Sequence, residues 1–174
     1  MTIAIREGVP DDIPAMLGML DSSVQWLVSQ GRTEQWGTRP LSEHRGTVKS
    51  VTRYMDEGTT YIAEIDGVPA ATLTLTDAPG ACLSHLPSPG EPERYIHWLA
   101  SDRRFEGRGA GAALLAHAAE QTRRAGVRLL RVDCYAGGDG RLVAYYEANG
   151  FTPTETYTAG ERNDWPGQVL VRRV

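Results

Sequence analysis

Apolar and polar residues alternate or recur in a pattern that divides this chain into seven strands and four helices. Ile3-Ala4-Ile5-Arg6 alternates as a first strand. Acidic residues and prolines over Val9–Pro14 then start a helix, since both are tolerated or favoured in a first turn. Ile13, Met16, Leu17, Leu20, Val24, Leu27 and Val28 give that helix an apolar stripe at three- and four-residue spacing, and Gly31 stops it. Gln35–Pro40 reads as a connection, followed by a second, weaker helix from Ser42 and Arg45 to Met55, ended by Gly58. Thr60–Ile65 and Val68–Leu75 flank Asp66-Gly67, the strongest short-range hairpin signal.

The second half continues in the same alternation of elements. Residues 77–92 hold four prolines and two glycines and read as a loop. Glu93–Ser101 is predicted as a strand on which Tyr95, His97, Leu99 and Ser101 share one face. A helix over Gly109–Ala125 and a strand over Val127–Cys134 complete one crossover unit. A short helix carrying Tyr146 follows the glycine-rich turn 136–140, and Phe151–Thr158 pairs with Gln168–Val174 around a loop from Ala159 to Gly167. With no repeat or linker, residues 1–174 read as a single mixed α/β domain.

Composition narrows the function classes. A net charge of −4 leaves no basic footprint for a nucleic acid. The first residues lack a basic region followed by an apolar run, and no apolar stretch approaches the ~18 residues of a membrane helix. Cys82 and Cys134 form no CxxC, and the histidines show no metal-ligand spacing, so a reduced, metal-free cytoplasmic protein is expected.

The chemistry starts at Arg103-Arg104-Phe105-Glu106-Gly107-Arg108-Gly109-Ala110-Gly111-Ala112, a glycine-rich turn that opens a helix and is therefore suited to phosphate. A Walker A loop is excluded because Ala112-Ala113 follow the last glycine where Lys-Ser or Lys-Thr would stand. Gly107–Ala112 also fits a dinucleotide fingerprint, with Asp133 at the distance of a ribose-binding acid. Its position past mid-chain leaves room for only one crossover, which argues against that reading.

Downstream lies Tyr145-Tyr146-Glu147-Ala148-Asn149-Gly150-Phe151. Together the two segments resemble the signature regions of the GCN5-related N-acetyltransferase (GNAT) family. Gly109 and Gly111 stand on the small positions of its pyrophosphate loop, and Tyr146 on the tyrosine of its Tyr-x-x-x-Gly-Phe element. Glu106 departs from the pattern, occupying a place usually held by Arg or Gln, so it is expected to point away while Arg103, Arg104 or Arg108 supplies the charge. The resemblance implies a GNAT-like α/β fold with about seven strands and four helices, and acetyl-CoA as co-substrate. It further implies that the N–H groups of Gly107, Arg108, Gly109, Ala110, Gly111 and Ala112 hold the pyrophosphate, and that the strand edge at Leu99, Ala100 and Ser101 holds the pantetheine arm. The expected reaction moves an acetyl group to a primary amine of a small molecule by direct attack in a ternary complex. A non-catalytic acyl-CoA sensor and acetylation of a protein or peptide amine are the alternatives.

An alkylamine of pKa near 10.4 is neutral about once in 2,500 molecules at pH 7, a deficit of roughly 4.6 kcal/mol, so a base helps. His97 is the candidate, within a segment that resembles the His-x-Leu-x-Val run of arylalkylamine-type acetyltransferases; a hydrogen-bonded core histidine is the competing reading, and Glu93 a second candidate. Tyr146 is the candidate acid for the departing thiolate by resemblance, with Tyr145 its rival. The family's acceptor enters between the first two helices and the last hairpin, where Trp26, Trp36, Glu161 and Trp165 stand. Aromatic faces beside carboxylates suit a cationic or aromatic amine, while exposed tryptophans equally suit packing lids or the contact of a homodimer.

Overall fold

The computed structural model describes all 174 residues. Seven strands lie in the order β1-β2-β3-β4-β5-β7-β6. They are β1 (Ile3–Glu7), β2 (Thr59–Ile65), β3 (Val68–Thr76), β4 (Glu93–Ser101), β5 (Leu129–Tyr135), β6 (Thr152–Ala159) and β7 (Trp165–Arg173). The helices are α1 (Ile13–Ser29), α2 (Arg45–Glu57), α3 (Ala110–Arg124) and α4 (Arg141–Ala148). No helix is long and apolar enough to cross a membrane. By contact the chain divides into two compact units, Met1–Thr76 with His97–Leu115, and Asp77–Ile96 with Ala116–Val174. β4 and α3 contribute residues to both.

The first unit is built on the antiparallel run β1-β2-β3, whose hairpin turns at Asp66 (φ 50°) and Gly67 (φ 82°), the left-handed pair that a two-residue turn between right-twisted strands requires. The stripe of α1 supplies Met16, Met19, Leu20 and Val24 to a core completed by Leu41, Val51, Ile62 and Ala100. Val28, placed on the same stripe by its spacing, is instead exposed. The start of α1 is fixed by charge. Arg6 on β1 donates from both terminal nitrogens to Asp12, at 2.8 and 2.9 Å, and through Nε to Glu64 at 2.7 Å, while Asp12 also accepts from the Val9 N–H.

In the second unit β5 pairs antiparallel with β7, and β7 with β6, so the last strand of the chain lies inside the one before it. β4 joins β5 in parallel, Glu93–Tyr95 against Leu129–Arg131. β7 starts at Trp165, and the expected loop from 159 to 167 shrinks to a turn with Gly160 at φ 87° and Asn163 at φ 53°. Extended pairing of Ala159 with Trp165 wins there because the indole packs against Tyr157, Val169, Leu83 and Tyr95.

Arg6 holds the Asp12 carboxyl below its usual range, so this pair contributes stability at neutral pH that is lost as pH falls through the acid range. Asp12→Asn is expected to cost about 1–2 kcal/mol at pH 7, since Arg6 is partly exposed, a fall of roughly 2–8 °C in Tm. The gap between wild type and variant should close below about pH 4; thermal unfolding across pH checks both signs.

Candidate active site

β4 carries the principal irregularity of the site. Trp98 sits at φ 52°, a left-handed conformation in which a bulky residue is a genuine outlier. The effect is visible in its neighbours. In a regular strand consecutive side chains point to opposite faces, yet here His97 stacks on Tyr54, with ring centroids 3.7 Å apart, while Trp98 Nε1 donates to Ser50 Oγ at 3.0 Å. Ser50 and Tyr54 lie four residues apart on α2, so His97 and Trp98 both turn to that helix. The single face expected for Tyr95, His97, Leu99 and Ser101 is therefore broken at Trp98: Ala100 enters the core under α1, while Leu99 and Ser101 are half-buried.

His97 itself is buried, with Nε2 2.8 Å from Thr76 Oγ1. Glu93, the second candidate base, belongs to the other unit and forms an ion pair with Arg131 at 2.8 Å, both side chains buried. A carboxylate so paired is committed to its partner.

Beyond β4 the chain enters the glycine loop. Asp102 caps the short turn Arg103–Phe105 by accepting from the Arg104 N–H at 2.9 Å. The three arginines of the loop have different fates. Arg103 lies over the Trp26 ring at 3.8 Å and reaches the Glu106 carboxylate at 2.6 Å. Glu106 is thus drawn to a cation. Arg104 grips Asp102 through Nε and a terminal nitrogen, holding that carboxyl below its usual range. Arg108 forms no salt bridge; its guanidinium stands 5.6 Å from the Phe105 ring centroid. Gly107 (φ 75°) and Gly109 (φ 83°) adopt the left-handed conformation, and a Cβ at either would stand in open space. Ala110 then opens α3, so Gly111 and Ala112 lie in the first turn, where helical N–H groups have no acceptor within the helix. The Arg108 N–H is returned to the Phe105 carbonyl at 3.2 Å, so the loop offers the N–H groups of Gly107 and of Gly109 to Ala112 with one uncommitted guanidinium, a donor set suited to a pyrophosphate.

In the second unit α4 presents Tyr146, buried, edge-on to Phe151 at 5.8 Å and to Tyr145 at 5.6 Å. Tyr145 faces solvent. Burial pushes the Tyr146 phenol well above its ordinary pKa, with Cys134, Tyr145 and Asp133 adding to the effect. The proton is therefore firmly held at neutral pH.

The aromatic residues expected around an acceptor divide by partner. Trp26 stacks on Arg103, and Trp36 packs against the core of the first unit. Trp165 lies against Tyr135 at 5.2 Å and Tyr157 at 6.3 Å, while Glu161 is exposed on the β6–β7 turn. Tyr157 links Trp165 to Asp133, which the sequence offered only as a ribose-binding acid: Asp133 accepts hydrogen bonds from the Tyr95 hydroxyl at 2.7 Å and from the Tyr157 hydroxyl. Its signal was the two-residue spacing of Asp133 and Tyr135 on β5, which puts both on one face.

The family model described as the acetyltransferase (GNAT) family matches residues 22–151. An N-acetyltransferase of Bacillus subtilis, YesJ, is 28% identical over 151 residues, covering 82% of this chain and 78% of its own. Among solved structures, the ribosomal-protein-S18-alanine N-acetyltransferase of Escherichia coli superposes with a TM-score of 0.69 at 16% identity, over 99% of this chain and 94% of that one. The yncA acetyltransferase of Salmonella typhimurium, solved with acetyl-CoA, gives 0.65 at 14% identity, over 99% and 94%.

Gly167 pairs in register with both Tyr135 and Tyr157, and a Cβ there would fall 2.1 Å from the Tyr157 ring. Because that ring is anchored through its hydroxyl to Asp133, it cannot move aside freely. Gly167→Ala is expected to destabilise by about 1–3 kcal/mol, whereas Gly46→Ala, which meets nothing within 4 Å on α2, should stabilise slightly. Chemical denaturation of the two variants checks the contrast.

Proposed function

Because the chain belongs to the acetyltransferase (GNAT) family, and so is an acetyl-CoA-dependent acetyltransferase, we propose that its acceptor is a primary amine of a small molecule, attacked directly in a ternary complex in the cytoplasm. The observation that carries the cofactor half of this reading is the loop at Gly107 and Gly109, left-handed, open where a side chain would stand, and continuous with the first turn of α3. The N–H groups of Gly107, Gly109, Ala110, Gly111 and Ala112 hold the pyrophosphate there, while the Arg108 N–H stays with the Phe105 carbonyl and its guanidinium adds the charge that Arg103 and Arg104 have spent on Glu106 and Asp102. β4 pairs with β5 only as far as Tyr95, so the main chain at Leu99–Ser101 retains an edge on which an extended pantetheine arm forms strand-like hydrogen bonds.

Acetyl-CoA supplies an activated acyl group; the chain supplies position and proton traffic. As the amine nitrogen bonds to the acyl carbon and the carbon–sulfur bond breaks, Tyr146 donates its proton to the leaving thiolate. With ordinary pKa values near 10 and 8.5 that transfer is uphill by about 2 kcal/mol, and burial of Tyr146 widens the gap. His97 takes the proton of the amine, with the Thr76 hydroxyl at 2.8 Å as the group through which it passes. Trp36 on the first unit and Glu161 and Trp165 on the second are the side chains proposed to meet the acceptor, and Trp26 steadies the loop through Arg103.

Acetyl-CoA at a hundredfold excess over its Kd should stabilise the fold by about 2.7 kcal/mol, read as a rise in Tm. Gly111→Val, at a buried position in the first helical turn, should abolish the rise, with the Tm of the apo variant measured beside it to separate loss of binding from loss of fold; Gly109→Val adds strain because its φ is 83°. An undiminished rise in Gly111→Val would sink the loop assignment.

A screen of small amines with detection of released thiol tests the reaction. Tyr146→Phe should lower kcat about 10²-fold or more with the acetyl-CoA stabilisation intact, and Tyr145→Phe should do much less. His97→Gln should remove a rising limb of kcat/KM against pH. Stabilisation by acetyl-CoA with no thiol release from any amine would instead support a sensor that binds without turnover.

A further inference from the structure

Asp133 is the charge that the proposed reaction leaves unused. It belongs to none of the salt bridges, and the nearest cation on its strand, Arg131, is committed to Glu93. Two neutral phenols, Tyr95 and Tyr157, occupy two of the four lone-pair positions of the carboxylate and leave its charge uncompensated. The side chain is nevertheless only partly buried, so solvent or a ligand reaches it.

The surroundings are shaped around this charge. Tyr157 stands next to Trp165, and Trp165 next to Tyr135 at 5.2 Å with the planes tilted by 48°. A Cβ at Gly167 would overlap the Tyr157 ring, which is anchored to Asp133, so Tyr157 lies where only glycine admits it, and the Tyr135 hydroxyl reaches the space beside Gly137. A partly buried carboxylate that two phenol hydroxyls leave short of partners, in a cluster with the rings of Tyr157, Trp165 and Tyr135, is the recognition chemistry of an ammonium group.

We infer that Asp133, with Tyr135, Tyr157 and Trp165, binds an alkylammonium group of the acceptor, and that the acceptor is a diamine or a larger molecule carrying a second amino group. The second amine follows from the direction of the electrostatics. A carboxylate in contact with an amine favours its charged form, the reverse of what nucleophilic attack needs, so the group held at Asp133 is not the one acetylated. This inference rests on the small-amine reading above and narrows it.

Direct binding separates the two. Calorimetric titration of the coenzyme A-saturated protein with diaminoalkanes, from diaminopropane to diaminohexane, and with monoamines of equal chain length is expected to show the best diamine binding about tenfold or more tighter than its monoamine. Asp133→Asn, which keeps an acceptor oxygen for a phenol, should reduce that preference to about twofold or less, while the exposed Asp11→Asn, a control for net charge, should leave it unchanged. Trp165→Leu, on a half-exposed side chain, should lower diamine affinity several-fold and serves if the Asp133 variant does not fold. Equal binding of diamines and monoamines by the wild type, or a preference that survives Asp133→Asn, overturns the inference. Thiol release in parallel samples that hold acetyl-CoA in place of coenzyme A distinguishes the underlying reading: diamines bound selectively but never acetylated would refute the amine-acetylation proposal alone, and acetylation of monoamines without diamine selectivity would refute this inference alone.

Discussion

A single left-handed residue, Trp98, determines how β4 can serve a site. A strand obeying strict alternation would send His97 and Trp98 to opposite faces. With φ at 52° both face α2, one stacked on Tyr54 and the other hydrogen-bonded to Ser50, and the residues after it resume in a new phase with Ala100 in the core. Such a conformation costs on the order of 1–3 kcal/mol and persists only when its neighbours over-determine it. Here the contacts to α2 and the packing of Trp98 against the Met16–Leu20 cluster do so.

Charge is distributed with similar economy. Arg6 joins Asp12 and Glu64 at the start of α1, Arg131 neutralises Glu93, Arg103 takes up Glu106 and Arg104 takes up Asp102. Each of these cations has a carboxylate within reach, and Nε and one terminal nitrogen of Arg103 are buried without a hydrogen-bond partner. Arg108 and Asp133 form no salt bridge, one cationic in the glycine loop and one anionic among tyrosines. Charges left without a counterpart near partly enclosed surfaces are the ones available to ligands, and their signs fit an anionic cofactor and a cationic acceptor. The negative field of Asp133 extends to nearby groups, contributing to the raised pKa values of Tyr95, Tyr157 and Cys134, the last pushed up to about 12 chiefly by burial.

The glycines divide into two physical kinds. Gly107 and Gly109 are required by backbone conformation and leave space outside them, whereas Gly137 and Gly167 are required because an aromatic ring occupies the space a side chain would need. The first kind fits a loop that receives a ligand. Beside the second kind, Tyr157 is held through its hydroxyl to Asp133, and a ring already held lowers the ordering cost of binding against it.

What the sequence by itself determined was local and periodic. The alternation of Glu93–Ser101 fixed β4 to the residue, Asp66-Gly67 fixed its hairpin, the apolar spacing of Met16, Leu20 and Val24 fixed the buried face of α1, and the two glycine- and tyrosine-bearing segments pointed to the family and its co-substrate. These depend on residues within a turn or two of one another, or on motifs that retain their chemistry in any context. The tertiary structure decided everything that depends on pairs distant in the chain: the place of β7 between β5 and β6, the phase change at Trp98, the spending of Arg103 on Trp26 and Glu106, and the meeting of Tyr95 and Tyr157 at Asp133, 38 and 24 residues apart. Periodicity assigns a residue to a face but not to a partner across strands, and a left-handed residue inside a strand carries no signal in its own side chain. The reason is that both are imposed by packing against helices and strands whose positions the local sequence does not encode.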